Sequence, residues 1–121
     1  MDKIVSVGIT VGDPNGIGPE IIVKSLCKKS IIDTIIPVIY CPKDILLYYI
    51  EKFNFNLSLN IITSPEQAMN RVLNLIDIKQ DHFKLSPGKI TKEAGEIAFK
   101  SLKIASDDLF DLKTDVIVTA P

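Results

Sequence analysis

Apolar residues fall into short runs that alternate between two spacings, and this alternation sets out the chain. Residues 4–11 (Ile-Val-Ser-Val-Gly-Ile-Thr-Val) are β-branched and nearly continuous in apolar character, the pattern of a parallel strand covered on both faces. A helix is predicted over 19–29, with Ile22 and Leu26 one turn apart, Ile21 and Ser25 beside them, and Lys24, Lys28 and Lys29 toward its end. Residues 35–40 predict a second strand, and Pro37 places its start after the proline or the strand at a sheet edge. Cys41-Pro42-Lys43-Asp44 opens a helix carrying Leu46, Tyr49, Ile50 and Phe53, which ends at Asn54-Phe55-Asn56 before a short strand over Leu57–Ile62. Ser64-Pro-Glu-Gln67 has the form of a capping box with proline at the first helical position. The helix it starts is brief, since Val72–Ile78 reads as a strand, with helix through Gln67–Leu75 as the alternative. A polar loop follows from Lys79 to Lys89.

Residues 91–110 form the clearest helix, with Ala94, Ile97, Ala98, Ser101, Leu102, Ala105 and Leu109 in one stripe, Thr91 as N-cap and Glu93 in the first turn. Gly95 within it costs about 1 kcal/mol against alanine, which suggests a close packing contact there. Val116–Thr119 predicts one more buried strand. Strands alternating with helices give an α/β fold of three layers, α/β/α, around a mostly parallel sheet.

Between the first strand and first helix lies Gly12-Asp-Pro-Asn-Gly-Ile-Gly-Pro-Glu20, the stretch with the densest chemistry. Gly12, Gly16 and Gly18 can take positive φ and admit a close backbone or ligand. Asp13-Pro14-Asn15-Gly16 has the residue order of a tight turn, Pro19 suits a helix start, and Glu20 complements its positive end. Such a corner can seat a phosphate or carboxylate, or be a plain structural turn. It is neither the dinucleotide fingerprint, whose third glycine is missing, nor a Gly-Lys-Ser/Thr phosphate loop. Asp13 reads as a carboxylate capping its own loop, with a place at a cleft as the alternative, and Thr10 is a weaker candidate.

Composition narrows the classes. Lys+Arg 14 against Asp+Glu 15 gives net charge −1, so nothing in the charge balance recruits nucleic acid or an anionic membrane. No apolar run approaches the roughly 20 residues of a membrane span, and no basic region precedes an apolar one as in a signal peptide. Cys27 and Cys41, without metal or redox spacing, read as reduced thiols of a cytoplasmic protein. His82, the sole histidine, sits in a polar loop and reads as solvated, and no second histidine or tight acidic cluster offers a metal set. Tyr48, Tyr49, Phe53 and Phe55 read as core rather than a stacking surface.

The wording of three stretches adds a resemblance. Gly12–Glu20 directly after a first strand resembles the opening of the 4-hydroxythreonine-4-phosphate dehydrogenase family of pyridoxal phosphate biosynthesis and its relatives that oxidise phosphorylated four-carbon hydroxy acids. Pro87-Gly-Lys-Ile-Thr-Lys-Glu-Ala-Gly-Glu-Ile-Ala-Phe99 looks like the family's glycine- and Ala-Phe-bearing helix, and Asp115-Val-Ile-Val-Thr-Ala-Pro121 like its Thr-Ala-Pro strand. The resemblance implies an isopropylmalate dehydrogenase-like fold, of which residues 1–121 would be the N-terminal part of a discontinuous first domain. It implies oxidation by NAD or NADP, then decarboxylation, assisted by a divalent metal (Zn, Mg or Co), a small phosphorylated substrate and a homodimer. Gly12, Asp13, Gly16 and Gly18 would then shape the cofactor side of the cleft. The family's metal histidines and substrate clamps belong to motifs beyond the Thr-Ala-Pro strand, and His82 matches none of them. On this reading the chain is an N-terminal fragment, inactive alone, from a truncated or split reading frame or a degraded gene. The competing reading is a free-standing α/β module that binds a phosphorylated metabolite or a partner chain without catalysis.

Overall fold

The computed structural model describes residues 3–81 and 83–121, so His82 and any role for it lie outside the described residues. Five strands, β1 (Val5–Thr10), β2 (Ile35–Cys41), β3 (Leu59–Ile62), β4 (Leu73–Asp77) and β5 (Val116–Thr119), form one sheet in the order β3-β4-β2-β1-β5. Every pairing is parallel, with β1 centred between β2 and β5. The helices are α1 (Gly18–Leu26), α2 (Lys29–Ile32), α3 (Lys43–Lys52) and α4 (Lys92–Phe110), with a 3-10 turn at Pro65–Gln67.

Alternation along the strands divides the core in two. Val7, Ile9, Ile39, Cys41, Leu73 and Leu75 point to the face covered by α1 and α3, through Ile22, Val23, Leu26, Ile45, Leu46, Tyr49 and Ile50. Val38, Tyr40 and Ile62 point the other way, where α4 brings Ala105. The result is the expected three-layer α/β/α arrangement. Gly8 faces Tyr40: a Cβ there would stand 3.2 Å from both the Tyr40 ring and Ile117, so its absence makes room for the buried tyrosine.

Several expectations are corrected. Pro37 lies inside β2, and β2 is an inner strand, not an edge. The β4 ladder begins one residue later, at Val38↔Asn74, and the Pro37 carbonyl is met by the Asn74 side-chain amide at 2.9 Å. Asn74 is fully buried; its oxygen also accepts from Asn60 and from the Met69 amide, both at 2.9 Å, which ties the turn after β3 to the sheet. The helix expected over 19–29 stops at Leu26, and α2 follows as a separate short turn. The capping box at Ser64, by contrast, forms as expected, and the helix it opens is as brief as the sequence indicated, three residues long.

In α4, Thr91 caps as expected, accepting from the Ala94 amide at 3.1 Å. Ala94, Ile97, Ser101 and Ala105 are buried, whereas Leu102 is exposed, so the buried stripe is narrower than its apolar pattern. Gly95 has no packing contact: nothing stands within 4 Å of where its Cβ would be. The strand β5 is not buried either; it is an edge strand with Val116 43% and Val118 54% exposed. Its apolar composition suits a covered strand, but among the described residues nothing lies on its outer side.

Candidate functional site

The loop between β1 and α1 leaves the sheet at the C-terminal ends of the strands. From β1 the chain steps to β2 on one side, while β5 is added on the other. In open α/β sheets such a reversal opens a crevice at the strand ends. The loop is closed by the Gly16 amide on the Asp13 carbonyl at 2.9 Å and by the Asn15 amide on the Asp13 carboxylate at 2.9 Å. Asp13 therefore caps its own turn while its side chain stays exposed.

The glycines do different work. Gly12 has φ +68°, a conformation that disfavours any Cβ, and an added Cβ would fall 2.5 Å from the Ala120 carbonyl oxygen and into that of Pro121. Gly18 and Gly16 do not take positive φ. Gly18 is required by proximity: its missing Cβ would overlap the Val11 carbonyl oxygen and lie 2.9 Å from that of Pro121. The Asp13 amide donates to Pro121 O at 3.2 Å, and the Ala120 amide to Thr10 O at 3.2 Å. The glycine side of this corner is thus filled by the chain's own carbonyls. At the helix start Pro19 has no amide hydrogen and the Ile21 amide is spent on Ile17 O. What the loop offers a ligand is its outer surface, where Asp13 and Ile17 are exposed and Gly16 half-buried.

Asn15, read from the sequence only as a turn residue, is 2% exposed and is the busiest polar group of the corner. Its carboxamide oxygen accepts from the Ser86 amide at 2.9 Å. The amide nitrogen donates to Lys89 O at 3.1 Å and lies 3.4 Å from the Thr91 hydroxyl. Its backbone oxygen takes the Gly88 amide at 2.7 Å. The three stretches singled out in the sequence therefore meet: the Gly12–Glu20 loop holds the 86–91 strap through Asn15 and the end of the Thr-Ala-Pro strand through Gly12, Asp13 and Gly18. Beneath them Ser101, fully buried on α4, accepts from the Val11 amide at 3.0 Å and donates to Tyr40 O at 2.7 Å.

Two depressions border the corner. One of about 270 Å³ lies between Asn15–Ile17, Glu20, Tyr49, Lys52 and the Pro87-Gly88 turn. Another of about 180 Å³ runs between α1 and β5 and is almost wholly apolar, with Ile9, Ile21, Ile22 and Val118 in its walls. A third, of about 270 Å³, opens where β2 and β4 end, beside Lys43, Asp44, Asp77 and Lys79. There Asp77 accepts from the Lys43 amide at 2.8 Å and pairs with Lys79 at 2.8 Å, serving as the cap that Pro42 cannot supply to α3. Burial alone would raise its pKa, but the hydrogen bonds from Lys79 and the Lys43 amide outweigh that and hold the carboxyl below its ordinary value. Cys41 is pushed well up, by burial and then by the Asp77 charge, which makes it an unreactive thiol. Of the aromatic residues, Tyr49 is core, stacked on Phe53 at 6.3 Å, while Tyr48 is 42% exposed.

Among the described residues no group of three or more His, Cys, Asp or Glu side chains could hold a metal ion. These residues do not fit a divalent cation. No helix of the described residues is long and apolar enough to cross a membrane.

Comparison with known proteins places this corner in context. The family described as pyridoxal phosphate biosynthetic protein PdxA matches residues 33–121. The chain is 29% identical over 97% of its length to 4-hydroxythreonine-4-phosphate dehydrogenase of Bacteroides thetaiotaomicron, covering 32% of that protein. It is 32% identical, over its whole length, to a Halalkalibacterium halodurans protein provisionally named D-threonate 4-phosphate dehydrogenase, covering 37% of it. The chain thus spans about a third of the length of the relatives it matches. A crystal structure of a 4-hydroxythreonine-4-phosphate dehydrogenase from Burkholderia phymatum superposes on 99% of the chain with a TM-score of 0.88 at 26% identity, using 37% of that chain.

Proposed function

Because the chain belongs to the pyridoxal phosphate biosynthetic protein PdxA family, we propose that it forms the opening part of the first domain of a dehydrogenase. That enzyme, taken whole, uses NAD or NADP and a divalent metal to oxidise and decarboxylate 4-phosphohydroxy-L-threonine on the route to pyridoxal 5'-phosphate. The observation that carries the reading is the meeting of the three family-like stretches at one crevice on the C-terminal edge of the sheet.

In this reading the Gly12–Gly18 loop forms the cofactor-side wall. Gly12 and Gly18 act by letting the Ala120-Pro121 segment close against the loop, and Asp13 and Gly16 present its outer surface to the cofactor. The metal set, the substrate clamp and the homodimer contacts are assigned to the remainder of the enzyme. The 121-residue stretch is inactive by itself, works in the cytoplasm, and contributes a wall rather than a reacting group.

A related substrate is the second reading. The match to the provisionally named threonate 4-phosphate enzyme is as extensive as that to the hydroxythreonine enzyme, which supports an enzyme acting on a phosphorylated four-carbon acid of the threonate or erythronate type. The test is calorimetric titration of NAD and NADP, then formation of reduced nicotinamide with each phosphorylated acid, on protein purified from its source. Turnover with 4-phosphohydroxy-L-threonine supports the first reading, turnover with the threonate ester alone the second. Tight binding of both cofactor and metal by the isolated 121-residue chain would overturn the division of labour proposed here.

A further inference from the structure

Both ends of the Asn15 carboxamide are bonded within the protein, although it sits in the loop read as a cofactor wall. Its oxygen and nitrogen are both committed to the strap at residues 86–91, and its backbone oxygen to Gly88. These partners lie 71 and 74 residues further along the chain. The strap has little else to hold it: Pro87, Gly88, Lys89 and Ile90 are exposed, Ile90 completely, and Gly88 has open space around it. The same strap ends in Thr91, the cap of α4. Asn15 therefore stands between the two walls of the 270 Å³ depression, with Gly16 and Ile17 on one side and Pro87 and Gly88 on the other.

We propose that Asn15 is a positioning residue: through its carboxamide the 86–91 strap fixes the shape of the Asp13–Ile17 turn, so the loop and the N-terminal cap of α4 open and close as one unit. Its bearing on cofactor binding rests on the reading above, but the coupling itself does not.

Residue-resolved hydrogen exchange on the 121-residue chain tests it. Asn15→Ala should raise exchange at the Ser86, Gly88 and Gly16 amides together by about tenfold or more, while Val38, Ile39 and Leu75 in the sheet core keep their protection. Asn15→Asp gives a second signature. The carboxylate can still accept from Ser86 but faces the Lys89 carbonyl with no hydrogen to offer, whereas its protonated form regains one donor. Asp13, whose carboxylate accepts from the residue-15 amide, and Glu20, Lys52 and Lys89 nearby are common to both chains, so the step is read as a difference: relative to wild type, exchange in the variant's strap should slow as pH falls through the carboxyl range, after correction for intrinsic rates. If Asn15→Ala unfolds the chain, the pH signature of Asn15→Asp decides. Loosening of the strap alone, loosening of the core with it, or an Asn15→Asp variant without a pH step would each overturn the proposal. Failure of the wild-type enzyme to bind NAD or NADP would instead sink the cofactor reading and leave the coupling standing.

Discussion

The Pro121 carbonyl oxygen accepts a hydrogen bond from the Asp13 amide at 3.2 Å, joining the end of the last strand to the loop that follows the first. The contact is possible only because the loop has no Cβ at Gly12 and Gly18, where a methyl group would overlap carbonyl oxygens. The glycine pattern of this loop is thus a packing requirement before it is anything else.

Alanine at either position tests that requirement. Gly18→Ala and Gly12→Ala should each destabilise the chain by roughly 1–3 kcal/mol, Gly18 through overpacking and Gly12 through φ strain added to it. Gly95→Ala, in open space within α4, should instead stabilise by up to about 1 kcal/mol. Urea midpoints at constant m-value would separate the three.

Ser101 supplies the polar link under the site. Ser101→Ala leaves the Val11 amide without its partner in a fully buried position, and a loss of roughly 1–3 kcal/mol is expected by the same denaturation measurement. A change below a few tenths would mean that the Val11 amide finds another acceptor.

The Asp77 carboxyl has a lowered pKa in the folded chain, so it binds a proton less readily folded than unfolded. Its contribution is therefore complete above the ordinary carboxylate pKa, near pH 4, and is lost as pH falls through the lower folded value. Asp77→Ala should cost about 1 kcal/mol at neutral pH, as expected for loss of a helix cap. Thermal melts should show this difference shrinking as pH falls below the ordinary carboxylate range.

How much of this was legible in the sequence depended on how local the physics is. Periodicity placed every strand, because burial on both faces writes itself into consecutive residues such as Val7–Val11, although Ile4 and Val5 at the start of that run are exposed. The turn at Asp13–Gly16 and the cap at Thr91 followed from residues within three positions of each other. Asn15, Ser101 and Asp77 were not legible as partners, since their bonds reach 71, 90 and 34 residues along the chain. Pro37 misled for the same reason: the β4 ladder beside it begins only at Val38↔Asn74, a register set 37 residues away that no local rule about proline anticipates. At Gly95 and β5 the composition suits a covered surface, while the described residues leave both open.

That openness makes a further prediction. The β5 edge, with Val116 and Val118 exposed beside the apolar groove along α1, should drive concentration-dependent association of the 121-residue chain. Val118→Lys should shift sedimentation toward monomer. A wild-type chain that stays monomeric at every concentration would contradict this.

One assay decides whether the crevice at β1 and β5 belongs, as proposed, to a nicotinamide-dependent dehydrogenase of phosphorylated four-carbon acids. Protein purified from its source is mixed with NAD or NADP, a divalent metal and 4-phosphohydroxy-L-threonine, with D-threonate 4-phosphate in parallel, and reduced nicotinamide is followed by its absorbance. Steady reduction is expected with at least one of the two acids. No reduction with either, from a preparation that also fails to bind cofactor, would contradict it.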